Sequence, residues 1–211
     1  IQNIVEDVLK LAKDKGATQA EASMSKVEGI AVSSRLKEVE TVEFTNDGGL
    51  GITVYHGKKK GSASTADLSP QALRLTVEKA IEIAKHTGDD DCSGLADKSL
   101  MAFEFPDLDL YHPIELDTDH AIQQVIAAET SALDIDPRIT NSDGASYNAN
   151  LGTKVYGNSH GFIAGYDSSR YSMGCVVIGE QDGDMQRDYS YTVGREIANL
   201  TNPELLGREA A

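Results

Sequence analysis

Basic residues are scarce in this sequence, and long apolar runs are missing. Nineteen lysines and arginines stand against 34 acidic residues among 211, which gives a formal net charge of -15. A field of this sign repels phosphates, whereas non-specific nucleic-acid binding depends on neutralising phosphates with Lys and Arg. Direct nucleic-acid binding is therefore disfavoured. No apolar run approaches the roughly 18 residues of a membrane span, so no membrane partner is expected.

Cysteine is also scarce, with only Cys92 and Cys175 in the chain. Cys92 stands in a polar stretch and Cys175 in an apolar run, which is more typical of reduced intracellular thiols than of a disulfide framework. No basic-then-apolar signal segment opens the sequence, which begins at Ile1 inside an amphipathic pattern. These features predict a cytoplasmic protein, and the start inside a pattern is compatible with further residues ahead of it.

Helical and strand patterns alternate along the chain. The stretches 20–66 and 138–193 hold short β-forming runs separated by Gly, Asn and Asp, which is typical of strands joined by hairpins. They predict an α+β fold in which helices pack on antiparallel β-meander sheets. In the second stretch, turns are predicted at Asp143-Gly144, at 158–161 (Asn-Ser-His-Gly) and at 181–184 (Gln-Asp-Gly-Asp). Apolar residues at helical spacing predict the helices, at 1–15, 69–88, 117–137 and from Asn202-Pro203 onward.

The chain is predicted to divide into an N-terminal α+β domain (1–88), a connector (89–114) and a central β-rich domain (115–211) that is incomplete at its C-terminal end. Three consecutive aspartates and scattered apolar residues mark the connector. In each domain an amphipathic helix comes first. A similar string comes after it, made of Thr-Asn, then Asp-Gly, then a strand that ends in Tyr. We hypothesise an internal duplication that produced two related α/β units, and different strand orders in the two halves would contradict it.

One stretch, EFTNDGGLGITVYHGKKKG at residues 43–61, is rich in glycine and lysine. It has neither the Walker-loop nor the dinucleotide-binding spacing, and it leads into a strand rather than a helix N-terminus. Phosphate binding is therefore disfavoured. We predict that Asn46, Asp47, Gly48 and Gly49 form a structural hairpin turn, because these residue types tolerate positive φ.

No catalytic or metal-binding constellation stands out. The five histidines form no H-x-x-x-H or H-E-x-x-H pair, and no G-x-S-x-G motif is present. Ser159 and His160 are neighbours in sequence, which usually directs two side chains apart. The acidic run at 180–188 lacks the EF-hand pattern, and a solvated hairpin tip is the preferred interpretation. We predict no catalytic residue and no metal ligand in this chain.

Tyrosines on predicted strands are the remaining feature. A Tyr-rich polar sheet can accept an extended peptide at its edge, where backbone hydrogen bonds supply affinity without strict sequence choice. The alternative interpretation is that these side chains line contacts between subunits or domains. The tyrosines concerned are Tyr166, Tyr171, Tyr189 and Tyr191.

Three stretches resemble the TldD/PmbA family, which is also described as modulators of DNA gyrase. They are SSRLKEVETVEFTNDGGLGITVYHGKKKGSASTADLSPQAL, VYGNSHGFIAGYDSSRYS and GDMQRDYSYTVGR. The resemblance covers nearly the whole chain and favours the PmbA (TldE) branch over the TldD branch. The family fold is α+β with N-terminal, central and C-terminal domains, and this chain is similar to the first and to much of the second.

The resemblance implies a subunit of a cytoplasmic zinc metalloprotease that acts on small unfolded peptides, including peptide-antibiotic precursors and antitoxins. The zinc motif H-E-x-x-x-H belongs to the TldD branch and is absent here. Zinc is therefore expected on a TldD-like partner subunit, and no cofactor is expected in this chain. The role implied for this chain is to shape the peptide cavity. Residues predicted to contact the peptide or the partner are Asn158, Ser159, His160, Tyr166 and Arg170.

Two other functions stay open. A non-enzymatic regulatory module linked to DNA gyrase or to an RNA regulator would form a stable complex with that partner without a TldD-like subunit. A nucleic-acid-binding protein would lose affinity steeply with salt. Without its partner, the chain is expected to form a homodimer through its β-sheets.

Overall fold

The computed structural model describes all 211 residues, and it confirms the α+β class with four helices and six strands. Each predicted helix is present within a few residues of its expected bounds. None of them has the length and the apolar content that crossing a bilayer requires. The helices are α1 (Gln2–Asp14), α2 (Pro70–His86), α3 (Thr118–Leu133) and α4 (Pro203–Ala210). The strands are β1 (Gln19–Arg35), β2 (Glu38–His56), β3 (Lys59–Thr65), β4 (Ile139–Asn158), β5 (Ile163–Gln181) and β6 (Asp184–Gly194).

Three of the helices begin where a polar side chain accepts hydrogen bonds from the first turn. The Asp117 carboxylate accepts from the backbone N–H groups of the second and third residues of α3, at 2.9 and 3.2 Å. Ser69 and Asn202 cap α2 and α4 in the same way, and each is followed by a proline. Such caps satisfy N–H groups that have no partner inside the helix, which is why the sequence located these starts well.

The six strands form one antiparallel sheet in the order β3-β2-β1-β4-β5-β6. Each half of the chain therefore runs helix, three-stranded meander, helix. The strand order in the two halves is the same when read outward from β1 and from β4. The different strand orders that would contradict the duplication are therefore not found. The duplication stays a hypothesis.

The predicted turn at residues 46–49 is wrong, because Asn46, Asp47, Gly48 and Gly49 lie inside the continuous strand β2. None of the four has a positive φ. Gly48 serves a close approach instead, since a Cβ there would lie 3.1 Å from the backbone oxygen of Ser25. Small residues at tight strand contacts have the same local sequence signature as a turn.

The actual hairpin turn between β1 and β2 lies ten residues earlier, at Leu36 and Lys37, whose φ angles are 53° and 65°. Neither residue is of a type that favours positive φ, so the sequence carried no turn signal here. The predicted Asp143-Gly144 turn is likewise inside β4. The predicted turns at 158–161 and 181–184 are present, between β4 and β5 and between β5 and β6.

The chain is organised as two compact units, and each combines three chain segments. The first unit comprises 1–26, 47–108 and 152–167, and the second comprises 27–46, 109–151 and 168–211. Strands β1, β2, β4 and β5 each contribute residues to both. The predicted division into 1–88, 89–114 and 115–211 concerns consecutive chain segments and stays a prediction. The two compact units are not consecutive segments, because four long strands each pass through both units.

The core of the first unit lies between helices α1 and α2 and one face of its strand segments. Alternate residues of β1 and β2 point into it, as period-two burial requires. Gly61 on β3 allows α2 to pack closely, since a Cβ there would lie 2.1 Å from the backbone oxygen of Ala80. The buried side chains include Val5, Val8, Ala22, Met24, Leu50, Ile52, Val54, Val77 and Ala80.

The core of the second unit packs α3 and α4 against its own strand segments. Helices α3 and α4 approach closely, because Gly207 sits directly against the backbone of Ala128. Cys175 is fully buried in this core, and burial raises the pKa of its thiol to about 11. Other buried side chains include Ile30, Val32, Val125, Tyr147, Tyr171, Met173, Val177 and Leu206.

Candidate functional site

Three of the predicted contact residues, Asn158, Ser159 and His160, come together at the turn from β4 to β5 in the first unit. Asn158 is buried, and its Oδ1 accepts from the His160 backbone N–H at 3.1 Å. Ser159 exchanges bonds with Ala20, donating its N–H to the carbonyl at 2.8 Å and accepting from the N–H at 3.1 Å. The His160 ring contacts the Ala96 carbonyl at 3.1 Å. These bonds hold the turn to β1 and to the segment near residue 96.

The other two predicted contact residues, Tyr166 and Arg170, lie on β5, and their side chains make no hydrogen bond or ion pair. Tyr166 is about half exposed, at 52%. Of the tyrosines predicted on strands, Tyr171 is fully buried, with its hydroxyl donating to the His112 carbonyl at 2.6 Å. The contact role of all five predicted residues stays a prediction.

A group that sequence reasoning missed lies in the first unit, on the face of the sheet opposite α1 and α2. The Glu21 carboxylate accepts the Tyr55 hydroxyl at 3.1 Å on Oε1 and the Tyr156 hydroxyl at 2.8 Å on Oε2. The Asn158 amide donates in turn to the Tyr156 oxygen at 3.4 Å. No lysine, arginine or histidine forms an ion pair with Glu21. We call Glu21, Tyr55 and Tyr156 the Glu21 cluster.

The Glu21 cluster borders a groove of about 410 Å³. Thr53 and Ser62 lie opposite each other on β2 and β3, and their hydroxyls share a hydrogen bond of 2.9 Å. The alternation of β1 places Glu21 on the face opposite the buried Ala20 and Ala22. That part of the cluster was readable in sequence. The two tyrosines stand 34 and 135 residues from Glu21, and no local signal links them.

The tyrosines of the cluster keep their protons to high pH. Burial, and secondarily the Glu21 charge, raises the pKa of Tyr55 to about 12. Burial also raises the pKa of Tyr156. In the second unit, burial raises the pKa of Tyr147 to about 12 and raises that of Tyr171. At neutral pH these hydroxyls therefore act as donors.

These raised pKa values predict alkaline destabilisation. A tyrosine whose folded-state pKa exceeds the ordinary value of about 10 stabilises the folded state fully below that pH. This stabilisation is lost as the pH rises from 10 to about 12 for Tyr55 and Tyr147. We expect the free energy of unfolding, measured in urea, to fall across this range, and part of the phenolate absorbance to appear only with unfolding. Complete ionisation of all tyrosines in a folded protein near pH 10 would contradict this.

An unpaired strand edge is the main surface feature of the second unit. Strand β3 pairs with β2 only from Leu50 to His56, so residues 38–48 of β2 have no partner strand on that side. Of these, residues 38–46 belong to the second unit. The side chains from Glu38 to Phe44 are exposed, and Phe44 is the most exposed of the apolar ones, at 71%. The unit also exposes Tyr189 and Tyr191 on β6, whose rings stack at 6.3 Å.

Family models match most of the chain. The model described as the PmbA/TldA metallopeptidase central domain matches residues 111–211, and that of metallopeptidase domain 1 matches residues 20–84. The chain belongs to the PmbA/TldD metallopeptidase family. This membership agrees with the resemblance found in the sequence and with its preference for the PmbA branch.

Named relatives of the PmbA/TldD family are similar over the whole chain. Metalloprotease PmbA of Escherichia coli O157:H7 is 52% identical over 100% of this chain and 47% of its own length. The Metalloprotease PmbA homolog of Haemophilus influenzae is 51% identical over the same shares. The chain thus spans about half the length of the curated relatives it matches.

Solved structures share the fold. A protein from Bacteroides thetaiotaomicron, described as a modulator of DNA gyrase, superposes with a TM-score of 0.90 at 23% identity, over 99% of this chain and 48% of its own. TldE from Thermococcus kodakarensis superposes with a TM-score of 0.78 at 16% identity, over 98% and 46%. At these identities the likeness establishes the fold alone.

The family name implies a metal centre, but the residues of this chain do not fit one. No three His, Cys, Asp or Glu side chains lie close enough together to hold an ion. Two histidine rings contact backbone carbonyl groups: His56 contacts that of Gly16 at 3.3 Å, and His160 contacts that of Ala96. The His120 ring packs edge-on against Tyr147 at 6.2 Å. A metal centre needs several converging ligands.

Proposed function

We propose that this chain is the peptide-accommodating, non-catalytic part of a PmbA-type subunit in a zinc metalloprotease. Small unfolded peptides, such as peptide-antibiotic precursors and antitoxins, would be the substrates, and the cytoplasm the compartment. A TldD-like subunit would hold the zinc and cleave the peptide. Membership of the PmbA/TldD metallopeptidase family supports the enzyme class.

The unpaired edge of β2 is the observation that carries the peptide-binding proposal. A strand edge offers a row of backbone donors and acceptors, and an extended chain can add to it as a further strand. Binding through backbone atoms needs an unfolded ligand and little sequence choice. Residues 38–48 form such an edge, and 38–46 of them belong to the second unit.

Side chains along this edge favour basic and apolar peptides. Glutamates at 38, 40 and 43 are interspersed with the exposed apolar residues Val39, Val42 and Phe44. Long exposed edges with apolar side chains are prone to unwanted association, so proteins normally cover or blunt them. A peptide or partner strand of opposite charge would cover this one.

The non-catalytic role rests on the residues themselves. No group of metal-ligating side chains converges in the chain. Of the two cysteines, Cys175 is buried with a raised thiol pKa, which disfavours the reactive thiolate form. These findings support placing the zinc ligands and the cleavage step outside these 211 residues.

Amide hydrogen exchange tests the peptide edge. Adding an unfolded basic peptide to the full chain as encoded should slow exchange at residues 38–48, because new strand bonds protect the amides. Helix α2 of the first unit provides the internal control and should not change. Unaltered exchange at 38–48 with a peptide that the TldD-like complex cleaves would contradict the proposal.

Paired proline variants sharpen this test. Successive N–H groups of a strand point to opposite sides, so of Thr41→Pro and Val42→Pro one removes a donor facing β1 and the other a donor facing the free edge. We expect the variant that loses the donor facing β1 to destabilise the β1–β2 hairpin. We expect the variant that loses the donor facing the free edge to fold normally but lose peptide binding. Normal binding by both folded variants would argue against strand addition.

Reconstitution tests the division of labour. The full chain alone should bind peptide without cutting it, and cleavage should require a TldD-like subunit with zinc. Stoichiometric zinc on this chain, or cleavage by it alone, would contradict the non-catalytic role. A stable complex with a gyrase-related protein in the absence of a TldD-like subunit would instead favour the regulatory module.

A further inference from the structure

We propose that the Glu21 cluster is a binding site for a primary ammonium group. The ligand would be the N-terminal amine of a peptide or the side-chain amine of a lysine in one. Only the identification of the amine's carrier as a peptide rests on the proposed function. The preference for an ammonium group rests on the geometry of the cluster.

The first step is a count of protons. Tyr55 and Tyr156 each have one hydroxyl proton, and both protons are donated to the Glu21 carboxylate, at 3.1 and 2.8 Å. The two phenolic oxygens and the carboxylate therefore have only lone pairs left to offer. Such a site suits a ligand group that donates hydrogen bonds and accepts none.

The second step is charge. Glu21 carries a negative charge without a cationic partner, since no ion pair involves it. Its side chain is half-buried beside the groove of about 410 Å³, so a bound cation would be partly shielded from water. Hydrogen bonds between charged groups are stronger than those between neutral groups, and partial burial strengthens them further.

The third step is the shape of the donor group. A guanidinium binds a carboxylate best through two parallel bonds that use both oxygens along one edge. Here each oxygen of Glu21 already accepts one phenol, so that edge is partly occupied. An ammonium is a compact charge with three donors, and it can reach one carboxylate oxygen and a phenolic oxygen together.

The surroundings hold the acceptors in place. Asn158 donates to the Tyr156 oxygen at 3.4 Å, and Thr53 and Ser62 bond to each other at 2.9 Å along the groove. Gly51, which lines the groove, has open space above its backbone. Acceptors fixed before binding reduce the entropy lost when the ligand binds.

Short peptides that differ in one group test the site. The four probes are a peptide with a free N-terminus and no lysine, an N-acetylated peptide with one lysine, the same with one arginine, and the same with neither. Binding to the full chain is followed by titration and by NMR of the Tyr55 and Tyr156 rings. We expect one or both ammonium probes to shift these signals, and the uncharged probe to leave them unmoved.

The variant Glu21→Gln should weaken binding of the ammonium probe by about tenfold or more, since a bond to a charged group is lost. Glu115→Gln, which makes the same charge change at an exposed site of the second unit outside both proposed sites, is the matched control and should bind normally. Tyr156→Phe provides a second variant should Glu21→Gln fail to fold, and it should weaken binding by a smaller factor.

Three results would overturn the inference: equal binding by the parent and both variants, unmoved tyrosine signals, or preference for the arginine probe. If the uncharged peptide slows exchange at residues 38–48 as strongly as the ammonium probes, and Glu21→Gln changes nothing, the proposed function stands and the ammonium site fails. If the tyrosine signals move while exchange at 38–48 does not, the ammonium site stands and the peptide edge fails.

Discussion

Gly207→Ala should destabilise the protein by at least about 3 kcal/mol, because the added methyl group has no room against rigid backbone. A Cβ at Gly207 would lie 2.0 Å from the Ala128 oxygen and 3.1 Å from the Ala132 nitrogen. These are backbone atoms of α3, so relief requires α4 to move away from α3 as a whole. Urea unfolding of the full chain measures the loss.

Two physical effects predict opposite signs for the change in stability of Gly207→Ala. Gly207 lies inside helix α4, where alanine is the better helix former by about 1 kcal/mol. Helix propensity alone thus predicts stabilisation, whereas helix packing predicts the reverse. Gly88→Ala, outside the helices, is the control for an added methyl group that meets no neighbour, since nothing lies within 4 Å of a Cβ there. A Gly207→Ala protein as stable as the parent would show that α3 and α4 do not pack this closely.

Glu129→Ala should cost about 3 kcal/mol, because it removes charged acceptors from several donors at once. Glu129 is fully buried in α3, yet its carboxylate reaches the β1–β2 turn in the same unit. Oε1 accepts the Leu36 N–H at 2.7 Å, and Oε2 accepts the Lys37 N–H at 2.9 Å and the Ser34 hydroxyl at 2.8 Å. Urea unfolding again provides the measurement.

Glutamine should not rescue this position. Glu129→Gln places an amide donor against a group of donors, so one oxygen's bonds are lost and the new N–H groups are buried without acceptors. We expect its loss of stability to approach that of Glu129→Ala. A Glu129→Gln protein with the stability of the parent would show that the turn does not depend on both oxygens.

The turn itself offers a compensating change. Leu36 and Lys37 adopt positive φ, which is unfavourable for their residue types, and Glu129 holds them there. Replacing the pair with Asn-Gly, which prefers this conformation, should recover about 1 kcal/mol in the Glu129→Ala background. No recovery would mean that the buried bond to Ser34, rather than the turn geometry, accounts for the loss.

The candidate site was only partly readable from sequence. The turn that contains Asn158, Ser159 and His160 was predicted from the types of these residues, and the structure has a turn there. The Glu21 cluster did not follow, because its hydrogen bonds join three strands that are far apart in sequence. The free edge of β2 also escaped notice, since a strand's sequence does not reveal where its neighbour ends.

The sequence by itself determined the α+β class, the helix starts and the family. Helix starts are local, because Ser69, Asp117 and Asn202 cap residues within the next three positions. Only the tertiary structure decided that residues 46–49 continue a strand and that the chain turns at Leu36 and Lys37 instead. The physical reason is distance along the chain. The turn is held by a carboxylate 93 residues away, and Gly48 is required by the backbone of a neighbouring strand rather than by its own conformation.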